Sequence, residues 1–276
     1  MSVFSPDWFS RTFVMGILNV TDDSFSGDGV GVDVGKAVER ALQMEKDGAD
    51  IVDIGGESTR RYSKYHADAS APKSAEFELQ RVLPVIAALK QELSIPISID
   101  TYKASVARAA VAAGASMIND VWGGQKDSEM FAVARETGVP IILMHNSEEG
   151  VESEVCDEVV AYLRMISDEA LEKGVRFEQI IIDPGIGFAK TTEQSRLLLK
   201  HLDALHVFGY PILLGVSRKS VIGQTLDVPV EERLAGSLAA NVFGLLNGAS
   251  ILRVHDVRET VQAVRMVEAV LGEKEC

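Results

Sequence analysis

Two groups of side chains in this sequence are able to hold a small polar ligand, and they are chemically opposite. One is acidic and amide-bearing: Asn19, Glu57 to Arg60, Asp100, Asn119 with Asp120, His145 and Asp183, each closing an apolar run. The other is basic and comes from two late segments, Ser217, Arg218 and Lys219 in "GVSRKS" and Arg253 with His255 in "RVHDV". Carboxylates and an amide suit a heterocycle edge with adjacent N–H donors, since each charge-assisted bond contributes roughly 1.5 to 3 kcal/mol once water is excluded. The basic set suits an anion, because Arg offers a planar fork, Lys a point charge and Ser a hydroxyl. Plainer roles exist for the same residues. Arg218 and Arg253 can pair with acidic neighbours on a rim, and Asp100, ahead of "TYKAS", can cap the next helix. Asp183 fits a cap poorly, because Pro184 and the glycines at 185 and 187 follow it and favour a tight turn.

A repeating strand and helix must bring these positions together. Phe13 to Val20 reads as a strand, and Val34 to Lys46 has helical spacing with Gly48 as a stop. The pattern recurs with "DIVDIGGEST" and a helix from Ser74 to Glu92, then "IPISID" and a helix from Lys103 to Ala113. "ASMINDV" precedes a helix from Ser128 to Thr137, and "PIILMHN" one from Glu154 to Lys173. Ile180 to Ile182 form a β-branched run suited to a strand buried on both faces, followed by a helix from Glu193 to Leu205. "PILLGVSRKS" and "SILRVHDV" complete the series, with helices from Glu231 to Leu246 and Arg258 to Leu271. Parallel strands need helical crossovers, and eight of them can seal their edges, so the expected fold is α/β, a TIM (β/α)8 barrel in one domain over residues 1–276. An open doubly wound sheet is the competitor. No glycine-rich turn of the dinucleotide type follows the first strand, and the polar clusters follow all the strands instead of one switch point. In a barrel the carboxyl ends of the strands converge on one mouth, and anion sites often lie at the last two strands.

Composition narrows the partners. A formal net charge of −14 opposes nonspecific attraction to nucleic acid or an anionic membrane surface, so a phosphate-bearing ligand needs a local positive cluster. Cys156 and Cys276 are the only cysteines, which argues against a disulfide framework or a thiolate metal site and fits a reduced, cytoplasmic setting. Neither a signal peptide nor a membrane span is expected. Met15, Met44 and Met117 read as core, His201 and His206 as solvated, and His66 as part of a polar loop. The stretch Leu234 to Leu246 has too few polar positions for a solvated outer helix and suits a subunit interface.

At these residues the sequence closely resembles the bacterial dihydropteroate synthase family. "MGILNVTDDSFS", "GADIVDIGGESTR", "ISIDT", "INDV", "DPGIGF", "GVSRKS" and "RVHDV" occur in that family's order along nearly the whole chain. The resemblance implies a TIM barrel that joins (7,8-dihydropterin-6-yl)methyl diphosphate to p-aminobenzoate, giving 7,8-dihydropteroate and pyrophosphate with Mg²⁺. It further implies that Asn19 contacts the metal, and that Thr59, Asp100, Asn119, Asp183 and Lys219 hold the pterin diphosphate. Arg253 and His255 bind its diphosphate, and Asp100, Asp183, Lys219, Arg253 and His255 carry the catalysis. Arg60, Phe188, Ser217 and Arg218 border the aminobenzoate, the loop from Asp22 to Ser26 closes over the site, and the family's homodimers match the apolar helix. The chemistry agrees: breaking a C–O bond to pyrophosphate leaves positive charge on carbon and negative charge on the leaving group, which the two opposite groups of residues can meet.

The departures from the family pattern are local. Asp22 stands where a proline is usual after "NVT", Arg61-Tyr62 replaces a Pro-Gly pair, and the connection "RRYSKYHADASAPK" is longer than usual. Either it is an altered lid over the aminobenzoate pocket or an inert surface insertion. As a lid, it leads to the expectation of a sulfonamide-insensitive enzyme. Asn146 departs too, leaving the role of His145 open, and Trp122 either narrows the pocket wall or simply packs. Three alternatives share parts of this pattern: a methyltetrahydrofolate-type methyltransferase barrel, a Schiff-base aldolase using Lys219, and a pterin-binding paralogue without turnover.

Overall fold

The computed structural model describes residues 6–20, 33–57, 73–151 and 154–272. Its strands are β1 Phe13–Asn19, β2 Ile51–Gly55, β3 Ile97–Asp100, β4 Met117–Asp120, β5 Ile141–Met144, β6 Ile180–Asp183, β7 Leu213–Leu214 and β8 Ile251–Val254. The sheet order β6-β5-β4-β3-β2-β1-β8-β7 uses parallel pairs throughout, in register as in Met15 with Ile51 and Ile251 with Phe13. A single parallel bridge between Ile182 and Ile212 joins β6 to the β7 segment and closes the ring. The expected barrel is therefore the observed one.

The helices are α1 Val34–Lys46, α2 Ala75–Glu92, α3 Ala104–Ala113, α4 Met130–Thr137, α5 Val155–Glu172, α6 Thr192–Lys200, α7 Ser220–Leu226, α8 Leu234–Leu246 and α9 Val257–Leu271. Several starts are fixed by side chains that satisfy otherwise orphaned N–H groups. Asp33 accepts from the Lys36 N–H, Ser74 from the Phe77 N–H, and Thr191 from the Gln194 N–H. The expected helix from Glu193 to Leu205 divides into α6 and a 3₁₀ segment, Leu202–Phe208, because the chain turns at His201 and ends in left-handed Gly209. The seventh barrel unit also holds a short helix, α7, that periodicity does not reveal, since seven residues carry too few turns to show a pattern.

Strand alternation organises the interior. Trp8, Phe13, Met15, Ile51, Met117, Ile142, Ile181, Leu213 and Ile251 form one buried cluster inside the barrel, while Val14, Leu18, Val52, Ile54, Ile118, Ile180 and Ile182 belong to the layer between strands and helices. Ile181 thus faces inward and its two neighbours outward, as period two requires. Among the described residues no helix is long and apolar enough to cross a membrane.

Candidate active site

Two residues beyond the apolar interior layer, the same alternation delivers polar side chains to the same face. Ile51 is followed by Asp53, Met117 by Asn119, Ile181 by Asp183 and Ile251 by Arg253. The strands therefore stack a charged layer on an apolar floor, at the mouth where barrel sites lie.

Arg253 joins that layer together. Its Nε donates to Asp53 Oδ2 at 2.7 Å and its Nη2 to Asp100 Oδ2 at 2.6 Å, while Asn119 Nδ2 donates to Asp53 Oδ2 at 3.0 Å. The two groups of opposite charge are thus not separate corners: of the two roles open to Arg253, an anion site or a pairing with acidic neighbours, the structure contains the pairing, with two buried carboxylates inside the mouth instead of on its rim. Burial pushes Asp100 up to about 7; Arg253 opposes that shift and the Asp53 charge adds to it. The same two carboxylates raise Arg253 against its own burial. Asp53 Oδ1 and Asp100 Oδ1 are buried with no hydrogen-bond partner among the described residues. Such oxygens are costly to leave unpaired and suit N–H donors from a ligand.

Asp183 and Lys219 meet a short distance away. Asp183 Oδ1 accepts from the Gly185 N–H at 2.7 Å, and burial raises its pKa while Lys219 lowers it. Gly215 supplies the gap between them: a methyl group there would stand 3.8 Å from Lys219 Nζ, 3.9 Å from Asp183 Oδ2 and 4.0 Å from Arg253 Cβ. Lys219 Nζ also lies 4.5 Å from the centre of the Phe188 ring, which, like Tyr102, packs against the buried cluster of Val121, Trp122 and Met144. Trp122 is a packed aromatic of this wall.

Ser217 and His255 are partners, with Ser217 Oγ 3.1 Å from His255 Nδ1 and accepting the His255 N–H at 3.2 Å. Arg218 turns away from them into a two-point ion pair with Asp256, its Nε at 2.8 Å from Oδ2. For Arg218 the plainer rim pairing is what the structure contains. Asn19 ends β1 beside Asp100: a methyl group on Gly55 would lie 3.7 Å from Asn19 Oδ1 and 3.6 Å from Asp100 Oδ2. Thr59 and Arg60, the loop from Asp22 to Ser26 and the substitution Arg61-Tyr62 lie outside the described residues.

Asp120, next to Asn119, faces the helices instead of the mouth and accepts the Trp122 and Gly124 N–H groups at 2.8 and 2.7 Å. Two residues of the cluster escaped the sequence expectations. Asp53 lies inside a strand, where only its period-two spacing from Ile51 pointed to the interior. Lys190 follows the "DPGIGF" turn and is 5% exposed, its Nζ 2.8 Å from His145 Nδ1. A cationic residue in an exposed-looking loop gave no signal of burial.

A family model described as pterin binding enzyme matches residues 15–255. The dihydropteroate synthase of Clostridium beijerinckii is 45% identical over 262 residues, covering 95% of this chain and 95% of that protein. The Bacillus subtilis dihydropteroate synthase is 46% identical over 262 residues, covering 95% and 90%. Among solved structures, a dihydropteroate synthase from Clostridium difficile in the presence of pteroic acid shares 44% identity at a TM-score of 0.91, covering 98% of this chain and 100% of that one. One from Xanthomonas albilineans in complex with 7,8-dihydropteroate shares 40% identity at a TM-score of 0.86, covering 95% and 94%. A charged layer of this make-up on a closed eight-stranded barrel, with likeness over nearly the full length, places the chain in the dihydropteroate synthase family of pterin binding enzymes.

Proposed function

We infer that this chain condenses (7,8-dihydropterin-6-yl)methyl diphosphate with p-aminobenzoate, forming 7,8-dihydropteroate and releasing pyrophosphate. The observation that carries this is the layer of Asp53, Asp100, Asn119 and Asp183 threaded by Arg253, with two carboxylate oxygens left for N–H donors. Asp100, Asn119 and Asp183 take the amino and ring N–H edge of the pterin. Lys219, Arg253 and His255 face the diphosphate, with Ser217 setting the His255 ring. The C–O bond breaks with its electron pair leaving on pyrophosphate, and the carboxylates stabilise the charge that develops on the pterin methylene. The arylamine nitrogen then forms the new C–N bond and releases a proton; it is nucleophilic enough to need no strong base. Phe188 and Ser217 border it, and Arg218 does so only by turning from Asp256.

No cage of three His, Cys, Asp or Glu side chains occurs among the described residues. An amide oxygen at Asn19 beside the carboxylate of Asp100 fits Mg²⁺, which takes one or two protein oxygens and completes its shell with phosphates and waters. Asn19 and Asp100 would hold the ion there, and it would supply positive charge to offset the leaving diphosphate. A methyltransferase barrel would share the acidic end, but the relatives described above are dihydropteroate synthases and do not favour it. We place the reaction in the cytoplasm.

The test is Mg²⁺-dependent pyrophosphate release from the two substrates. Asp183→Asn and Lys219→Ala each lower kcat/KM by about a hundredfold or more. Turnover at the native rate in either variant removes that residue from its role. The substitution of Pro-Gly by Arg61-Tyr62 further supports exclusion of the bulkier sulfonamides by the second loop. Restoring Pro-Gly at 61–62 should then lower sulfonamide inhibition constants at unchanged KM for p-aminobenzoate; equal constants for both chains would end the idea.

A further inference from the structure

The turn that carries Asp183 is gripped by two lysines, and only one of them belongs to the substrate side. Gly185 O accepts the Phe188 N–H at 3.0 Å, closing residues 185–188. On the substrate side Lys219 Nζ donates to Ile186 O at 2.5 Å. From within, Lys190 Nζ donates to Gly185 O at 3.0 Å and Phe188 O at 3.1 Å, and its third contact is His145 Nδ1 at 2.8 Å. In its protonated form Lys190 has three N–H donors, and here each has an acceptor; burial lowers its pKa to about 7, with the Asp183 charge opposing that shift. With its proton on Nε2, His145 presents the Nδ1 lone pair to Lys190. Burial, with the Lys190 charge beside it, holds the His145 pKa down to about 3, so the ring stays neutral.

The turn needs such a grip. Gly185, Gly187 and Ala189 all have positive φ, at 69°, 77° and 53°. Glycine peptides reorient at little steric cost, and a rotated 185–186 peptide would loosen the neighbouring Gly185 N–H that Asp183 Oδ1 accepts. His145 is tied to the same point, its backbone N–H donating to Asp183 O at 3.0 Å. Tyr162 packs edge-on against the imidazole, with ring centres 4.7 Å apart, and fixes its plane. Lys219 is required elsewhere once a diphosphate arrives, so its hold on Ile186 O is temporary.

We propose that Lys190, oriented by His145, is a positioning residue for this active site: it keeps the 185–188 turn, and with it Asp183, in place while Lys219 leaves Ile186 for the substrate. The inference rests on the reaction assigned above. Lys190 touches neither substrate. It acts through Asp183, so its loss falls on recognition of the pterin and spares the aminobenzoate, whose wall is set by Ser217 and by the packed Phe188 ring.

The experiment compares the native chain with Lys190→Met, His145→Ala and His145→Asn. It uses pyrophosphate release for kcat and both KM values, and fluorescence titration with 6-hydroxymethyl-7,8-dihydropterin for direct binding. Lys190→Met should raise KM for the pterin diphosphate and Kd for the dihydropterin about tenfold, while KM for p-aminobenzoate changes by less than about threefold. His145→Ala should do the same more weakly. His145→Asn, whose amide oxygen takes the place of Nδ1, should recover most of that loss, and this pair decides if Lys190→Met does not fold. Native-like pterin binding in Lys190→Met, equal losses for both substrates, or no recovery with His145→Asn would each overturn the proposal while native turnover leaves the reaction standing. No turnover by the native chain would overturn the reaction and the role together.

Discussion

Asn119 and Asp120 are adjacent polar residues with opposite fates. Asn119 points into the barrel and donates to Asp53, whereas Asp120 points outward and anchors the turn at Trp122 and Gly124. Burial pushes Asp120 up to about 7 from an ordinary value of 3.8, against the two N–H groups that hold it. The folded protein then keeps a proton that the unfolded chain has lost, so this contribution to stability is present below about pH 4 and disappears as pH rises to about 7. Asp120→Asn removes that titration. The melting temperature of the variant minus that of the native chain should become more positive by at least about 2 °C from pH 4 to 7. Paired thermal scans at the two pH values measure this, and a constant difference would show that Asp120 is ionised throughout. The Asp120 charge is the smallest of the causes that raise Asp100, so its removal also eases Asp100 and moves the difference in the same direction.

At the scale of elements, the segment from β6 to α6 carries more of the site than any other. Ile181 reaches the apolar floor, Asp183 the charged layer, and the turn places Phe188 and Lys190 on opposite sides of the backbone. Gly185 allows this geometry twice over. Its φ is 69°, and a Cβ there would stand 2.1 Å from His145 O. Gly185→Ala should therefore destabilise the fold by about 3 kcal/mol or more, since strain at positive φ adds to a backbone clash. Urea titration reads the loss, and an unchanged midpoint would mean that the turn adapts. The other late unit is built differently: β7 has two residues, and Ser217 to Lys219 lie beyond it on a turn where Arg218 has a φ of 55°. That bend is what lets Arg218 reach Asp256 while Ser217 and Lys219 stay at the mouth.

For the whole molecule, the pair of helices before and after β8 leaves large apolar side chains exposed. Phe243 and Leu246 on α8 are exposed, as are Met266, Val270 and Leu271 on the neighbouring α9. Large side chains gathered this way mark an interface more often than a solvated face. A homodimer through α8 and α9 is the expected state, and Phe243→Asp with Leu246→Glu should shift it to monomer at micromolar concentration without loss of the fold. Sedimentation velocity distinguishes the two, and a native chain that is already monomeric would remove the interface.

The sequence by itself determined the alternation of strands and helices, the closure into a barrel, and which motifs reach its mouth. Those follow from local periodicity and from rules of chain connection. It named Asp100, Asn119, Asp183, Lys219, Arg253 and His255 because each stands at or just beyond the end of an apolar run. Only the tertiary structure decided which charges pair. Arg253 lies 200 residues from Asp53 and 153 from Asp100, yet both carboxylates bind it, whereas Arg218, expected to border a substrate, is taken by Asp256. The physical reason is that burial and ion pairing depend on distance in space across a closed sheet. A one-dimensional pattern fixes the face on which a side chain emerges, but the partner it meets there is set by the neighbouring strand.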